Sequence, residues 1–436
     1  MNETDVGGVS ERRGRRESAP PWGLVAAAFV GLVGLVVLAA LGSRPGEPLN
    51  EAEVIEQARA GRFADAEALL VDHLNKNPRD ARAHYLLAQV LVDRTDVPSE
   101  VIDEAMARRA LGHAERAGAL DPDGRWVPRA EVWLYRGKAL YQLRRWDAAE
   151  AAWEQALRLD PRVPEAGWSL LDLYYLEGRR KDARELVLRL FKFEPDPRDR
   201  AQLLLELVRQ DAVPVSGESL VGQFEAAVAA EPEAVRSAIG LALALIRTSD
   251  PDRGLAILSG LTERRRTDRE VWAARFLGLD LAARAGEIGR ELELLPSELR
   301  EAPELARARA LAAQEAGDWA RAAREFEAVV ARDPTDFESW ARLERALRFA
   351  GRTAEADVWA ERLAGYRAAR QGLLELYDEA NAANGLGVRP HEELCERLAR
   401  AREAMGRADE AELWRQVGRG VGGRSAGVAG RGDPAG

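Results

Sequence analysis

A short pattern of small and apolar residues recurs along this chain of 436 residues. In each copy an alanine stands twelve residues before a proline, and apolar residues usually lie four and seven positions after the alanine. Side chains at that spacing share one face of a helix, and the proline ends that helix or begins the next. A chain that repeats such helices buries their apolar faces by stacking neighbours. The clearest copies are GRFADAEALLVDHLNKNP (61–78), RRWDAAEAAWEQALRLDP (144–161), GRRKDARELVLRLFKFEP (178–195) and GDWARAAREFEAVVARDP (317–334).

Glycines mark where one helix of each pair ends and the second begins. They lie just before the alanine-containing helix, where a tight turn requires a positive φ that glycine adopts without steric cost. The sequence therefore predicts helical hairpins. The turn glycines are Gly61, Gly178, Gly317, Gly351 and Gly406.

The first helices of the pairs have a pattern of their own. AEVWLYRGKALYQL (130–143) and DFESWARLERALRFA (336–350) place aromatic, glycine and leucine residues on one face. With these features the chain resembles tetratricopeptide repeat proteins, whose units are about 34 residues long. The resemblance implies an all-α fold, a right-handed superhelical α-solenoid of helical hairpins. The best-matched units are 130–161, 164–195, 303–334 and 337–366.

The quality of the repeats divides the chain into regions. We expect an N-terminal lobe over residues 49–233 with an insertion near 95–99, degenerate hairpins over 234–302, and a C-terminal lobe over 303–417. Within the last lobe, the segment 367–391 predicts one helix followed by a Gly/Asn-rich break. Residues 418–436 are rich in glycine and predict a disordered tail.

Residues 22–42 form an uninterrupted apolar run without a charged side chain. About 20 such residues in a helix span a bilayer core, so the run predicts a transmembrane signal-anchor helix. A cleaved signal peptide is the alternative, but its apolar region is shorter. The arginines at positions 12, 13, 15 and 16 place the short segment 1–21 in the cytoplasm by the positive-inside rule. The repeats then lie outside a single-pass inner membrane, in a bacterial periplasm.

The sequence offers no catalytic machinery. It has no phosphate-binding G-x-x-x-x-G-K-[ST] loop, and its four histidines and Cys395 form no metal-binding motif. A net charge of −10 argues against a nucleic-acid partner, since phosphate binding favours a basic surface. We therefore predict a non-enzyme without cofactor, metal or small-molecule substrate.

First helices line the inner surface of such arrays, so the candidate partner-binding residues come from them. The alternative to a groove is that several of these side chains pack between neighbouring helices. For the C-terminal arginines, the alternative is a solvated, salt-bridged face that includes Glu344. Lys138, Ser169 and Asp172 do not reproduce the carboxylate clamp of the chaperone adaptors in the family that the chain resembles. The candidates are Tyr85, Gln89, Tyr135, Lys138, Tyr141, Trp168, Asp172 and Tyr175 in the N-terminal lobe, and Arg342, Arg345 and Arg348, with Arg307 nearby, in the C-terminal lobe.

Together these features predict a membrane-tethered scaffold or adaptor that binds a protein or peptide partner, in bacterial envelope complex assembly. The alternative is a non-catalytic docking subunit of an envelope enzyme or electron-transfer complex.

Overall fold

A computed structural model describes residues 49–95, 103–212, 217–248, 250–334, 336–385 and 390–420. The predicted cytoplasmic segment 1–21, the apolar run 22–42 and most of the predicted tail lie outside these residues. In the part of the chain that is described, every helix is too short or too polar to traverse a lipid bilayer.

The described residues form helices and no strand. Two short 3₁₀ turns, Ala285–Glu287 and Pro303–Leu305, interrupt the series. The first half contains α1 Glu51–Arg59, α2 Phe63–Lys76, α3 Ala81–Thr95, α4 Glu104–Leu120, α5 Arg129–Gln142, α6 Trp146–Leu159, α7 Pro164–Glu177, α8 Arg180–Phe191, α9 Pro197–Ala212 and α10 Gly217–Ala230. The second half contains α11 Val235–Thr248, α12 Pro251–Arg264, α13 Arg269–Leu281, α14 Ile288–Glu293, α15 Ser297–Arg300, α16 Ala306–Glu315, α17 Trp319–Arg332, α18 Phe337–Phe349, α19 Thr353–Gly385, α20 Glu392–Ala404 and α21 Ala408–Gly418.

The predicted turn glycines are confirmed. All five have φ between 69° and 78°, in the left-handed region. Arg144 and Ala283 take the same conformation, with φ of 59° and 57°, at turns that lack a glycine. The hairpin geometry is therefore fixed by packing even where the residue itself disfavours it.

Small residues let the two helices of a hairpin approach closely. The repeat alanines Ala66, Ala149, Ala183 and Ala322 are fully buried. A Cβ added at Gly137 on α5 would lie 2.4 Å from the Trp153 indole on α6, so only glycine fits there. These contacts join consecutive helices into a solenoid with one continuous apolar core.

The array does not continue as a simple stack after α9. Helices α10 and α11 pack back towards α6, where Trp146 meets Phe224 edge-on at 5.4 Å between ring centroids. The Asp147 carboxylate accepts hydrogen bonds from the backbone N–H groups of Arg236 and Ser237, at 2.9 and 3.1 Å. An aspartate of α6 thus satisfies N–H groups at the start of α11 that have no partner within the helix.

The end of the chain returns to α9. Helix α19 packs along α9, and α21 also contacts it. At this junction Arg402 donates to Asp211 at 2.6 Å and to Glu410 at 2.7 Å. Arg407 also donates to Asp211, and Arg184 donates to Glu410 at 2.8 Å. Arg402, Glu410 and Asp211 are almost completely buried, so charged groups from the middle and from the end of the array share a site closed to solvent.

Helix α19 differs from its prediction. The sequence predicts a second helix ending near residue 366 and a separate helix beyond it, whereas one helix of 33 residues covers both. Leu373, Tyr377 and Ala380 continue the buried face past that point. Packing against α9 stabilises the extension, although Gly372 lies within it.

Candidate functional site

Three successive first helices, α5, α7 and α9, present equivalent positions 34 residues apart in the sequence. We call the surface formed by these positions the inner groove. One row carries Lys138, Asp172 and Glu206, and a second row carries Tyr141, Tyr175 and Arg209. First helices line the concave side of helical-repeat arrays, where partners usually bind.

The first two predicted tyrosines along the chain are packing residues. Tyr85 and Tyr135 are 5% and 6% exposed and meet edge-on, with 5.8 Å between ring centroids. The Tyr85 hydroxyl donates a hydrogen bond to Glu131. Burial raises the pKa of both tyrosines well above the usual value. Gln89 and Trp168 are half-buried, and Trp168 packs against the core.

The middle of the inner groove is open. Tyr141 is 37% exposed, and its ring stacks on Trp146 at 6.0 Å between centroids. Beside it the Asp172 side chain is 70% exposed. Desolvation by the surrounding helices nevertheless raises the pKa of Asp172, and desolvation followed by the charge of Asp172 raises that of Tyr141. Both groups therefore lie in a recess that water enters but does not fully screen.

Ion pairs cross the groove from helix to helix. Lys138 on α5 pairs with Glu165 on α7 at 3.2 Å. Arg209 on α9 contacts Asp172 at 3.3 Å and Glu206 at 2.6 Å. Desolvation raises the pKa of Glu206 to about 7, despite the neighbouring arginine.

Helix α19 borders the groove at α9. Burial raises the pKa of its Tyr377 to about 12, and the charge of Glu206 adds to that shift. The returning C-terminal helices therefore form one end of the groove.

The predicted arginines of the C-terminal lobe are mostly occupied by acids of the chain. Arg342 pairs with Asp280 at 2.7 Å. Arg348 pairs with Glu344 at 2.7 Å and with Asp357 at 3.1 Å. Arg345 is exposed and forms no ion pair with the residues that the structure describes.

Arg307 is the most heavily paired of these arginines. It contacts Asp280, Asp336 and Glu338, each at 3.0 Å. The structure therefore brings Arg307 and Arg342 together around Asp280, but as an internal network rather than as an open row of cations.

Sequence reasoning missed two constellations. His84 and His113 lie with their Nδ1 atoms 2.8 Å apart, and the buried Asp211–Arg402 network joins α9 to α20. Cys395 is buried, with Sγ 3.5 Å from the carbonyl oxygen of Pro390. Across the described ranges no group of three or more His, Cys, Asp or Glu side chains is arranged to hold a metal ion.

Comparison with known proteins identifies the repeats. Residues 52–115 and 130–163 match tetratricopeptide repeat models, so the chain contains tetratricopeptide repeats. Proteins built from these repeats commonly mediate protein–protein interactions. No curated protein sequence matches the chain.

Solved structures show only a general likeness. A tetratricopeptide repeat protein from Parabacteroides merdae is 14% identical, with a TM-score of 0.27, and the match covers 68% of this chain and 98% of that one. The C-terminal part of a repeat protein from Cytophaga hutchinsonii is 14% identical, with a TM-score of 0.30 and coverages of 67% and 98%. The match to the Cut9–Hcn1 hetero-tetramer of APC/C has 16% identity and a TM-score of 0.31, and it covers 84% of this chain and 71% of that one. These likenesses give no information on a partner.

Proposed function

We propose that this protein is a membrane-tethered scaffold or adaptor that holds a partner protein through an extended segment lying in the inner groove. The supporting observation is the open stretch around Tyr141 and Asp172, where ring and charged side chains recur on successive helices. Aromatic side chains with a polar end provide large contact area at low entropic cost, which suits capture of a peptide.

The tether is the apolar run at residues 22–42, with the arginine-rich segment on its cytoplasmic side. Tethering confines the groove to the membrane surface and raises its effective concentration for other membrane proteins. Together with the absence of catalytic motifs in the sequence, this layout supports a role in assembling a bacterial envelope complex.

Affinity purification from detergent-solubilised native membranes tests the groove. The test variant is Tyr141→Ala/Tyr175→Ala, because Tyr85 and Tyr135 are buried and their loss would perturb folding. The control is Leu294→Ala/Val358→Ala, which removes two side chains that are 80% and 50% exposed elsewhere. We expect the captured partner to be lost with the tyrosine variant and retained with the control.

Two other outcomes change the conclusion. Equal capture by both variants, with unchanged melting temperature, would show that the groove does not hold the partner. A stoichiometric enzyme among the captured proteins would assign the chain to the alternative role of docking subunit.

A further inference from the structure

Tyrosines of the first helices repeatedly hold a cation of the chain itself. On α3 the Arg82 guanidinium lies 5.9 Å from the centroid of the Tyr85 ring and pairs with Glu51 at 2.8 Å. The cation thus has an aromatic ring on one side and a carboxylate on the other. Both the ring face and the carboxylate attract a cation.

The same arrangement occurs on α5. The Lys138 ammonium lies 5.3 Å from the centroid of the Tyr135 ring and 3.2 Å from the Glu165 carboxylate. It occurs again between α7 and α9, where Arg209 lies 4.0 Å from the Tyr175 centroid and contacts Asp172. Three first-helix tyrosines therefore form ring-and-carboxylate sites, each filled by a lysine or arginine of this chain.

Tyr141 is the exception among these tyrosines of the first helices. Its ring is among the few large side chains that remain exposed, and among the described residues no lysine or arginine lies over it. Asp172 and Arg144 are both close enough to influence the Tyr141 hydroxyl. The Asp172 side chain stays 70% exposed, although Arg209 donates a hydrogen bond to one of its oxygens at 3.3 Å.

We propose that Tyr141 and Asp172 form a receiving site for a lysine or arginine side chain of the partner, so that the segment bound in the inner groove is cationic. This inference rests on the proposed function and names the chemical class of the partner. The Asp172 carboxylate, which is 70% exposed, supplies the negative charge of this site. The other carboxylates nearby have cations of the chain beside them: Glu165 pairs with Lys138, Glu206 pairs with Arg209, and Glu131 lies near Arg82. An acidic segment would meet like charge in a recess with weak screening.

Fluorescence anisotropy with the full-length protein in detergent tests the inference. The probes are labelled dodecapeptides of alternating serine with lysine, glutamine or glutamate. We expect the lysine peptide to bind and the other two to bind at least tenfold more weakly. Asp172→Asn should weaken binding of the lysine peptide about fivefold. Tyr141→Leu should weaken it to the same extent, because the aromatic ring is removed. Tyr141→Phe should bind within about twofold of wild type, since it keeps the ring.

A control separates a local site from the overall negative charge. Glu263→Gln removes an exposed carboxylate on α12, so it should leave binding of the lysine peptide unchanged. Equal weakening by Glu263→Gln and Asp172→Asn would overturn the proposal, as would equal affinity for the lysine and glutamine peptides.

The two proposals fail differently. If the native partner is captured through Tyr141 while the lysine peptide shows no preference, the cationic specificity is wrong and the groove remains the binding surface. If the Tyr141→Ala/Tyr175→Ala variant captures the partner as well as wild type does, the proposed function itself is wrong.

Discussion

At the scale of single residues, His84 and His113 constrain one another through one hydrogen bond. Their Nδ1 atoms are 2.8 Å apart, so one must carry a proton and the other must not. His84 Nε2 lies 3.1 Å from the carbonyl oxygen of Pro78 and therefore donates there. His84 Nδ1 is then the acceptor and His113 Nδ1 the donor, and a further proton on His84 would set two N–H groups against each other.

This pair predicts a loss of stability in acid. Burial, the charge of His84 and two nearby arginines, Arg116 and Arg109, lower the pKa of His113 to about 4, opposed only weakly by Glu67. Burial and Arg116 also lower the pKa of His84, against the opposing effects of the Pro78 hydrogen bond and Asp80. Both values lie below the ordinary 6.5, so as pH falls the unfolded chain takes up protons first. The histidine pair therefore makes its full contribution to stability above pH 6.5, and this contribution is lost as the pH falls towards about 4.

Urea unfolding of wild type and His113→Gln at about pH 7.5 and about pH 5 measures this effect. We expect the variant to lose less free energy of unfolding between the two pH values than wild type loses. If the free energy of unfolding had the same pH dependence in both proteins, the histidine pair would not be the cause of the loss of stability in acid.

At the scale of elements, a substitution in a turn can change the stability of the protein without altering the helices that the turn joins. Ala283 holds a φ of 57°, which costs an L-residue about 1–2 kcal/mol. Ala283→Gly should therefore raise the free energy of unfolding by about 1 kcal/mol. Its neighbour Ala282 has a φ of −80°, so Ala282→Gly should lower it by about 0.5–1 kcal/mol. Urea denaturation gives both values, and effects of the same sign would contradict the strain at residue 283.

The sequence predicts elements well where local rules decide them. Turn glycines such as Gly317 are confirmed because a positive φ selects that residue type. Arg144 and Ala283 give no such signal, since packing imposes their conformation. Helix α19 is also missed beyond residue 366 because its extension depends on α9, which lies more than 140 residues earlier in the chain.

In the candidate groove, too, the sequence predicts which residues share neighbouring helices but not which of them are buried. The 34-residue spacing correctly groups Tyr141, Asp172 and Tyr175 on neighbouring helices. It does not predict which tyrosines are covered, because Tyr85 and Tyr135 are buried by contacts with each other and with Glu131. Whether this surface binds a partner stays a prediction.

At the scale of the whole molecule, the buried Asp211–Arg402 network holds the end of the array against its middle. Burial disfavours a charged Asp211, but Arg407 and Arg402 outweigh it and lower the pKa of this carboxyl to about 2. No periodic pattern predicts these pairs, since Asp211 and Arg402 are separated by 191 residues.

Removing one member of the network should be costly, because it leaves buried charges without a partner. Arg402→Met should lower the free energy of unfolding by about 3–5 kcal/mol. The double variant Arg402→Met/Glu410→Met should lose less than the sum of the two single variants, because Glu410 is a direct partner of Arg402. Denaturation of the four proteins measures the coupling, and additive losses would argue against a shared network.

Because α19–α21 pack against α9, folding of α9 during synthesis must wait until these later helices have been made. A simple stack of hairpins can fold as each unit emerges, since every unit needs only its predecessor. Helix α9 instead needs helices that emerge about 140–200 residues later, which at roughly 5–20 residues per second takes about 7–40 s. During that interval the part of α9 that packs against α19 and α21 in the finished protein is uncovered. The nascent protein is therefore most open to aggregation or chaperone capture at the same helix that later forms the end of the inner groove.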